Sequence, residues 1–510
     1  MSSPFRPSPG VLIVHLASLP DHRARVAPDR SAVSDPARSL TNAELLREVV
    51  AAAEHLRELG IGRGDVVAVK LTNRIEFVTL MFATWRLGAT VTPVNPSLTE
   101  VEVARQLADA SARLLVTDAE VDAGEPDAPR VQTLPVGRLR RTPLQPELRA
   151  ETDPSALALL IYTSGTTGVP KGVMLDHANL DATLAMGRPS LDLGAEDRCL
   201  LILPLFHVNG IVISVLLPLS TGGSVVIAAR FDPHTFFDLV EAHRPTYFSA
   251  VPTILAMLAA LPPEVAPDTS SVRYVICGAA PASPELLDRF DARYGIPVLE
   301  GYGLSEATCG VTINPLASPR RPGSVGLPFP GQDVRIVGAD GADAAAGVPG
   351  EVVLRGANVM RGYLGRPEET AKVLVDGWLH TGDLGYLDAD GYLTLVGRSK
   401  DLIIRGGANI YPQEIEHVLM AHPAVVEAAV IGAPDPVWGE VVVAYLELAA
   451  GQVIEVAQLE AHCADHLSGY KRPVEFHVLD ALPRNALGKV AKPVLRDLHA
   501  TSASGAGAEA

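Results

Sequence analysis

Residues 162–172 read Tyr162-Thr163-Ser164-Gly165-Thr166-Thr167-Gly168-Val169-Pro170-Lys171-Gly172 and follow an apolar run, Ala156-Leu157-Ala158-Leu159-Leu160-Ile161. An apolar run closed by glycines, hydroxyls and one lysine predicts a buried strand that leads into an anion-binding loop. Glycines let backbone N–H groups turn toward one point, the hydroxyls between Thr163 and Thr167 add donors, and Lys171 adds a positive charge. The stretch therefore predicts a loop that binds polyphosphate.

A surface turn rich in Ser, Thr and Gly is the plain alternative, but it would not need the lysine. The spacing does not fit the Gly-x-x-x-x-Gly-Lys-Ser/Thr phosphate loop either. Thr-Ser-Gly-Thr-Thr-Gly-x-Pro-Lys-Gly resembles the phosphate loop of the adenylate-forming superfamily, which includes acyl-CoA synthetases, adenylation domains and luciferases. The resemblance spans roughly residues 30–497. It implies that the β- and γ-phosphates of ATP are held by Thr163, Ser164, Gly165, Thr166, Thr167, Gly168 and Lys171.

Length and charge limit the class of protein. A chain of 510 residues is too long for one ordinary core, so two or more domains are expected. A net charge of −17 argues against a nucleic-acid-binding protein. The four cysteines lie far apart without metal-ligand spacing, which favours reduced thiols in a cytoplasmic enzyme. The most membrane-like stretch, residues 200–219, is broken by prolines and polar residues, so no membrane span is expected.

Helical and strand-like segments alternate along the first 110 residues. Residues 41–59 show apolar positions at helical spacing behind a Thr41-x-x-Glu44 capping pattern, and residues 65–71 are typical of a buried strand. The alternation predicts an α/β fold with a mostly parallel sheet. Residues 123–151 are rich in Pro, Arg and Glu without a period, so an irregular surface connection is expected there.

The next motifs supply a histidine and a stretch of small residues. A histidine between apolar residues is usually structural, but residues 204–210 resemble the superfamily segment whose histidine lines the carboxylate pocket. This implies that role for His207, with Phe206 and Asn209 beside it. Residues 274–281 predict a strand that runs into small residues, and they resemble the adenine-binding loop. The residues in question are Gly278, Ala279 and Ala280.

Residues 298–306 form the second strong motif. Tyr302 offers a face on which adenine can stack, and Gly303 is assigned to the same adenine and ribose site. Ser305 offers a hydroxyl to phosphate. Glu306 offers a carboxylate to Mg²⁺, which prefers hard oxygen ligands beside substrate phosphates. Ser305 stands where many relatives have Thr and keeps the hydroxyl. Glu300 stands where many have Gln, and the sequence assigns it no role.

Residues 335–363 read as short strands with Gly and Asp turns, which predicts a small β subdomain. Beyond it, the sequence places Asp383 in a glycine-flanked turn, and the resemblance implies that this carboxylate accepts the ribose hydroxyls. Residues 397–401 resemble the superfamily hinge, with Arg398 reaching the ribose and Lys400 as the pivot.

A small C-terminal α+β domain is predicted after the hinge. The resemblance implies that Lys489 enters the active site during adenylation and that Gly406, Gly407 and Ala408 open a CoA tunnel afterwards. Three basic residues are candidates to meet the CoA phosphates: Arg405, Lys471 and Arg472. Residues 501–510 are small and polar, and we expect them to be disordered.

The predicted fold class is therefore α/β. A large N-terminal domain of parallel-sheet layers with a small β subdomain is expected over residues 1–397, a hinge over 398–400, a small mobile α+β domain over 401–500 and a tail over 501–510. The N-terminal domain would bind ATP and the carboxylate.

The implied chemistry needs no protein nucleophile. A carboxylate attacks the α-phosphorus of ATP, giving an acyl-adenylate and pyrophosphate, and the thiol of CoA then takes the acyl group, so catalysis rests on positioning and charge neutralisation. The catalytic set is Lys489, Glu306, His207 and Lys171, with ATP, Mg²⁺ and CoA as cofactors. The expected acyl pocket comprises Phe206, His207, Asn209, Val251, Gly303 and Cys309. The pocket segments contain no Lys or Arg, which favours an apolar-tailed monocarboxylic acid, aliphatic or aromatic.

Two other functions stay open. The first keeps adenylation but changes the acceptor to a carrier protein, an amine or adenylated nitrite for diazotisation of an aryl amine. The second is a non-catalytic nucleotide-binding relative, which predicts loss of Lys489 or Glu306, whereas both are present. The expected partners are small molecules, and a homodimer is left open.

Overall fold

The computed structural model describes residues 14–118, 131–144, 148–163, 170–280, 282–317, 319–449, 451–484 and 489–506, and the side chains of 502–506 are left out of the description. The predicted phosphate loop lies largely outside these ranges. Within them the chain forms two large, mostly parallel sheets, a small antiparallel sheet and a separate C-terminal sheet.

The larger parallel sheet has nine strands within the described residues. Runs such as Tyr247–Ala250 and Tyr274–Cys277 are buried along their whole length, as expected for strands covered on both faces. In spatial order the strands are Leu327–Pro328, Thr312–Ile313, Val298–Tyr302, Tyr274–Cys277, Tyr247–Ala250, Arg198–Leu201, Ser224–Ile227, Ser31–Ser34 and Ser39–Thr41. The inner strands are parallel, so their carboxyl ends meet at one edge.

The second parallel sheet carries the strand that leads into the phosphate loop. Its described strands are Gly362–Tyr363, Lys171–Asp176, Leu157–Thr163, Thr90–Pro93, Val66–Lys70, Leu114–Thr117 and Gln132–Pro135. Lys171–Asp176 pairs antiparallel with both of its neighbours, and the remaining neighbours pair parallel. Residues 132–135 correct the prediction of a wholly irregular connection over 123–151. This edge strand pairs parallel with Leu114–Thr117 and buries Leu134, while Gln132 and Thr133 stay exposed.

The small antiparallel sheet confirms the predicted β subdomain. Its strands are Asp333–Val337, Gly350–Arg355, Trp378–Leu387, Leu374–Val375 and Leu393–Arg398. The C-terminal sheet comprises Ala408–Ile410, Ile403–Arg405, Gly439–Leu448, Val425–Asp435 and Glu475–Leu479. Both faces of that sheet pack against apolar clusters whose members all follow residue 400.

The helices cover the faces of the sheets. The helix Asn42–Glu58 begins at the predicted capping pattern, because Thr41 accepts from the Glu44 N–H and Glu44 accepts from the Thr41 N–H. The other helices of four or more residues are Leu19–Val26, Ile75–Arg86, Glu100–Asp109, His177–Ser190, Val208–Ile211, Val212–Leu216, Leu217–Ser220, Phe236–His243, Pro252–Ala259, Pro284–Tyr294, Pro367–Val373, Pro412–Met420, Val456–His466 and Lys492–Ala506.

The C-terminal helix corrects the prediction that disorder begins at residue 501. The helix Lys492–Ala506 continues through residues 501–506, and Thr501 donates a 2.8 Å hydrogen bond to the Asp497 carbonyl one turn earlier. The alanines of this segment are strong helix formers, so small size alone does not end the helix. Residues 507–510 lie outside the described residues. The predicted α/β class is confirmed, while the exact domain boundaries and the mobility of the C-terminal unit stay predictions.

Candidate active site

Four neighbouring parallel strands bring four sequence motifs to one edge of the larger sheet. The strand Arg198–Leu201 leads to His207, and Tyr247–Ala250 ends at Val251. The strand Tyr274–Cys277 runs into Gly278, and Val298–Tyr302 runs into Gly303. Ligands of open α/β sheets bind outside the carboxyl ends of the strands, so the topology assembles a binding edge from segments about 100 residues apart in sequence.

The strand before the phosphate loop is present, and the base of the loop is closed. Leu157–Thr163 pairs antiparallel with Lys171–Asp176, and Thr163 lies directly opposite Lys171. The loop therefore leaves and re-enters the sheet at one point. Five of the predicted phosphate ligands lie outside the described residues: Ser164, Gly165, Thr166, Thr167 and Gly168.

Tyr363 connects Lys171 to Glu306, and Glu369 pairs with Lys171; sequence reasoning missed both residues. Lys171 Nζ lies 2.5 Å from Glu369 Oε2 and 5.1 Å from the centre of the Tyr363 ring. The hydroxyl of Tyr363 donates a 2.9 Å hydrogen bond to Glu306 Oε1. Hydrogen bonding to Lys171 lowers the pKa of Glu369 to about 2, and burial raises the pKa of Tyr363. The predicted phosphate and metal ligands thus share one polar network.

The local sequence did not predict this network. Tyr363 stands between glycines in a turn-rich segment, and Glu369 opens a short helix, Pro367–Val373. Both patterns are common in surface turns and helix starts. The strand pair Gly362–Tyr363 with Lys171–Asp176, which forms only on folding, gives them their place.

Asp383 is held by two donors from different parts of the chain. The Tyr302 hydroxyl donates a 2.6 Å hydrogen bond to Asp383 Oδ2, and Arg398 Nε lies 2.9 Å from Asp383 Oδ1. Asp383 is buried, and the coulombic interaction with it raises the pKa of Arg398. Burial and the same carboxylate raise the pKa of Tyr302. A buried carboxylate acceptor is therefore fixed in place.

The prediction that Asp383 lies in a turn is wrong. It lies within the strand Trp378–Leu387, paired with Arg398 of the next strand. The glycine pattern that suggested a turn has another cause. Gly382 adopts a φ of +70°, and the register shifts between residues 384 and 385, so the glycines accommodate an irregularity inside the strand.

Lys489 reaches the same site from the C-terminal unit. It lies close enough to Arg398, Asp383, Glu306 and Lys400 for their charges to act on its ammonium group. The residue is accessible to solvent, yet the crowding of protein atoms around the ammonium removes hydration and lowers its pKa, and the neighbouring cations add to this effect. The described arrangement therefore places Lys489 beside the predicted nucleotide and metal ligands.

His207 is partly buried at the start of the helix Val208–Ile211, with its ring 4.5 Å from that of Phe206. Burial, followed by the positive charge of Lys489, lowers the pKa of His207 to about 4. The imidazole is therefore neutral near pH 7. Asn209 Oδ1 and Ser249 Oγ are buried and have no hydrogen-bond partner in the described part of the chain.

Gly303 and Cys309 meet at the end of the strand Val298–Tyr302. A Cβ on Gly303 would lie 1.4 Å from the Cys309 carbonyl oxygen, so this position admits no side chain. Burial raises the pKa of the Cys309 thiol to about 12. Three non-glycine residues on the motif segments have positive φ, which is typical of functional sites: Ala279, Thr308 and Cys309.

Glu300 lies on the strand Val298–Tyr302, shortly before Gly303, and the residue is 8% exposed. Its carboxylate accepts a hydrogen bond from the Gly323 N–H and lines a cavity of about 340 Å³. Burial raises its pKa to about 7, and the Gly323 N–H opposes that shift.

The predicted CoA residues lie in a hairpin of the C-terminal sheet. Gly406 and Gly407 have φ of +57° and +84°, which turns the chain between Ile403–Arg405 and Ala408–Ile410. A Cβ on Gly406 would meet the exposed ring of Trp438 at 2.9 Å, a contact that the sequence did not indicate.

The three basic candidates for CoA phosphates already have protein partners. Arg405 donates to the Tyr470 carbonyl and lies over the Trp438 ring, while Lys471 contacts both oxygens of Glu414. Arg472 donates to the carbonyls of Leu467 and Ala464 at the end of a helix. Arg472 therefore has a structural role in the described state.

The residues present fit a Mg²⁺ ion. Glu306 accepts a hydrogen bond from the neutral Tyr363 hydroxyl, and a carboxylate can accept several. It therefore retains oxygen lone pairs for a hard cation. When bound, Mg²⁺ would neutralise phosphate charge.

Comparison with known proteins decides the family. The AMP-binding enzyme family matches residues 20–364, and the AMP-binding enzyme C-terminal domain matches residues 414–489. The chain belongs to the AMP-binding enzyme family. A feruloyl-CoA synthase from Amycolatopsis sp is 40% identical over 489 residues, covering 94% of this chain and 98% of that protein. A sulfoacetate–CoA ligase from Cupriavidus necator is 39% identical over 499 residues, covering 94% and 95%.

Solved structures of AMP-binding enzymes agree with this assignment. The o-succinylbenzoate CoA synthetase from Bacillus subtilis, in complex with its acyl-adenylate intermediate, has a TM-score of 0.87 at 35% identity and covers 94% of this chain and 98% of that one. The same enzyme with ATP and a magnesium ion has a TM-score of 0.83 at 34% identity and covers 94% and 98%. This AMP-binding enzyme is an AMP-forming acid–CoA ligase that uses ATP, Mg²⁺ and CoA. No helix among the described residues is long and apolar enough to cross a membrane.

Proposed function

We propose that this AMP-binding enzyme activates an aromatic or other apolar-tailed monocarboxylic acid and transfers it to CoA. The observation that carries the site assignment is the convergence of Lys489 with Glu306, Asp383 and Arg398 from the large N-terminal part. The proposed mobile cation, metal ligand and ribose acceptor thus lie near one another.

In the first half-reaction the substrate carboxylate attacks the α-phosphorus of ATP, a P–O bond to pyrophosphate breaks, and an acyl-adenylate forms. Lys489 contacts the developing negative charge between carboxylate and α-phosphate, and Asp383 with Arg398 holds the ribose. Lys171 holds the phosphates, for which it exchanges its contact with Glu369. Neutral His207 lines the carboxylate end of the acyl pocket.

In the second half-reaction the CoA thiolate attacks the acyl carbon and AMP leaves. We propose that residues 401–500 rotate about Lys400 between the halves, which withdraws Lys489 and brings the Gly406–Gly407 turn to the site. Lys400 lies in an exposed single turn, Ser399–Asp401, between the β subdomain and the C-terminal sheet, which is where a hinge can change conformation without disturbing a core.

The acyl pocket supports a substrate without a second anionic group. The segments 206–212, 249–252 and 308–311 contain no Lys or Arg. They supply buried apolar groups such as Ala250 and Val311. Ferulate is an aromatic monocarboxylate, whereas sulfoacetate carries a second anion that would need a cation in the pocket. We therefore favour the aromatic class.

A second observation favours a substrate with a hydroxyl or amino group on its tail. Asn209 Oδ1 is a buried acceptor without a partner, and Ser249 Oγ is a buried hydroxyl without one, in the described residues. A site that offers unpaired polar groups rejects analogues that cannot satisfy them. A hydroxylated aromatic acid would supply the missing hydrogen bond.

The test is pyrophosphate release from ATP across a panel of acids, each with and without CoA. The panel contains cinnamate, 4-hydroxycinnamate, benzoate, medium-chain fatty acids, sulfoacetate and nitrite. Turnover that requires CoA and gives a thioester, with 4-hydroxycinnamate favoured over cinnamate, supports the proposal. Loss of that preference in Asn209→Leu, with turnover of cinnamate kept, assigns it to Asn209.

Other acceptors are distinguished by the same assay. Pyrophosphate release that is indifferent to CoA with every acid would favour a carrier protein or an amine. Release that depends on nitrite and an aryl amine would favour diazotisation. Preference for sulfoacetate would contradict the apolar pocket.

We also propose that the enzyme works in the cytoplasm, which its four buried free cysteines support. A homodimer is tested by light scattering of the purified chain.

A further inference from the structure

The strand Glu475–Leu479 and the C-terminal helix Lys492–Ala506 bring together a group of side chains far from the catalytic motifs in sequence. Glu475 and His477 lie on the strand, and His499 lies on the helix. One ligand atom from each lies within 4.8 Å of the other two. Among the described residues no other group of three or more His, Cys, Asp or Glu meets this condition.

The separations are close to those that a metal ion imposes. Glu475 Oε2 lies 3.0 Å from His477 Nε2 and 3.9 Å from His499 Nδ1. A tetrahedral Zn²⁺ with bonds of about 2.0 Å to N and O holds its ligand atoms roughly 3.3 Å apart. Small side-chain rotations are therefore enough to close the group around an ion.

The state of His499 is a second, independent observation. His499 Nδ1 is buried and has no hydrogen-bond partner in the described residues, and its side chain is 15% exposed. A simple ion pair between His477 and Glu475 would account for those two residues but would leave this nitrogen unsatisfied. A metal ion satisfies all three side chains at once.

The surroundings favour a preformed site. The His477 ring stacks on Tyr445 at 4.8 Å between ring centres, with 20° between the planes, which restricts its orientation. Glu475 has 48% of its side chain exposed, so the outer side of the group is open to solvent. Three protein ligands and one open position is a common arrangement for Zn²⁺.

We propose that Glu475, His477 and His499 bind one divalent transition-metal ion, with Zn²⁺ as the preferred ion. Two imidazoles and a carboxylate suit Zn²⁺, Co²⁺ and Ni²⁺, whereas Mg²⁺ and Ca²⁺ prefer oxygen ligands. The site is distinct from the Mg²⁺ position at Glu306.

The position of the site gives it a role in the fold. The strand and the helix flank residues 480–491, the segment that carries Lys489. The base of that segment is closed by the Ala491 N–H, which donates a 2.7 Å hydrogen bond to the Pro483 carbonyl. An ion held by residues 475, 477 and 499 would link the strand to the helix at a second point, beyond this hydrogen bond. It would stabilise the end of the chain that presents Lys489.

The experiment is calorimetric titration of Zn²⁺ into the full-length chain, without an affinity tag, after EDTA treatment and with excess Mg²⁺ present. We expect one equivalent to bind. His477→Ala and His499→Ala are each expected to weaken binding by at least the roughly 10- to 100-fold that loss of an outer-shell partner costs at metal sites. His466→Ala removes an exposed histidine from the helix Val456–His466, which packs on the same sheet. This control variant should leave Zn²⁺ binding unchanged.

Co²⁺ provides a second measurement that does not depend on variants. The wild-type chain should show visible absorption of tetrahedral Co²⁺, and Zn²⁺ should abolish it. The melting temperature should rise with Zn²⁺ in wild type and in His466→Ala, but not in the His477→Ala/His499→Ala double variant. Binding of one equivalent that persists in a folded double variant, or no tetrahedral Co²⁺ spectrum in wild type, would overturn the proposal.

Discussion

Lys171 Nζ lies 2.5 Å from Glu369 Oε2, so the lysine expected to bind phosphate is paired with a carboxylate of the same chain. Glu369 also contacts Lys372 at 2.8 Å. On the proposed assignment of Lys171 to phosphate, Glu369 occupies the lysine before ATP binds. Nucleotide binding would then replace this contact, and the cost of the exchange would lower the affinity for ATP.

Glu369→Gln should therefore lower the KM for ATP. Loss of an ion pair near the surface should change the KM by roughly 1.5- to 5-fold. Steady-state pyrophosphate release at varied ATP measures the effect, and Glu368→Gln, an exposed neighbour, serves as the control. A higher KM for ATP in Glu369→Gln would mean that the carboxylate positions Lys171 rather than competing with phosphate.

Tyr363→Phe should raise the Mg²⁺ concentration needed for half-maximal activity. The lost hydroxyl donates to Glu306, and removing a group that orients a metal ligand typically costs roughly 10- to 100-fold in metal affinity. The aromatic ring near Lys171 is kept by this substitution. Titration of activity with Mg²⁺ at saturating ATP is the measurement, and an unchanged Mg²⁺ requirement would contradict the assignment of Glu306.

Tyr302→Phe should destabilise the folded protein and weaken ATP binding. The buried hydroxyl donates to the charged Asp383, and a hydrogen bond to a charged group contributes about 1.5–3 kcal/mol. Tyr392→Phe is the matched control, because that hydroxyl makes a 3.3 Å bond to a neutral carbonyl. Thermal unfolding and the KM for ATP are measured for both. Equal effects in the two variants would show that the hydrogen bond to Asp383 contributes no more stability than a hydrogen bond to a neutral carbonyl.

His207 predicts a pH dependence of stability. Burial and Lys489 lower its pKa from 6.5 to about 4 in the folded state. Above pH 6.5 the imidazole is neutral in both folded and unfolded chains, so it adds nothing to the pH dependence. As the pH falls toward 4, the unfolded chain binds the proton first, and the folded state loses up to roughly 3 kcal/mol.

The measurement is the free energy of unfolding of wild type and His207→Gln at about pH 7.5 and about pH 5. The wild-type protein should lose more stability between these values than the variant. The difference between the two proteins isolates His207 from other buried histidines such as His177, whose pKa burial also lowers. Equal losses of stability in both proteins would show that a group other than His207 causes the pH dependence.

Lys489→Ala should strongly slow adenylation while sparing the second half-reaction. Removal of one preorganised charge from a transition state costs roughly 100-fold or more in rate. Pyrophosphate release should fall by that factor, while thioester formation from supplied acyl-adenylate and CoA stays within about twofold. Equal loss of both steps would contradict the proposed rotation about Lys400.

Local sequence patterns predicted much of the fold. The apolar run before Thr163 and the capping pattern at Thr41 both led to the elements that the structure contains, since burial and capping act over a few residues. The order of the motifs was enough to indicate the family and the residue types that serve ATP.

Long-range pairing decided the rest. Asp383 lies in a strand because its partner strand brings Arg398 opposite it, and the glycines near it record an irregular register that resembles a turn in sequence. Helix formation past residue 500 also overrode a composition that suggested disorder.

The sequence by itself determined that the chain has an α/β fold with a separate C-terminal unit and that it activates an acid with ATP, because strand periodicity, loop chemistry and motif order are local properties. Only the tertiary structure decided that Tyr363 connects Lys171 to Glu306, that Glu369 pairs with Lys171 and that Lys489 lies near Asp383. Only folding also brought Glu475, His477 and His499 together. These contacts join segments separated by roughly 20 to 200 residues in sequence, and their distances depend on how sheets and helices pack, which no local pattern encodes.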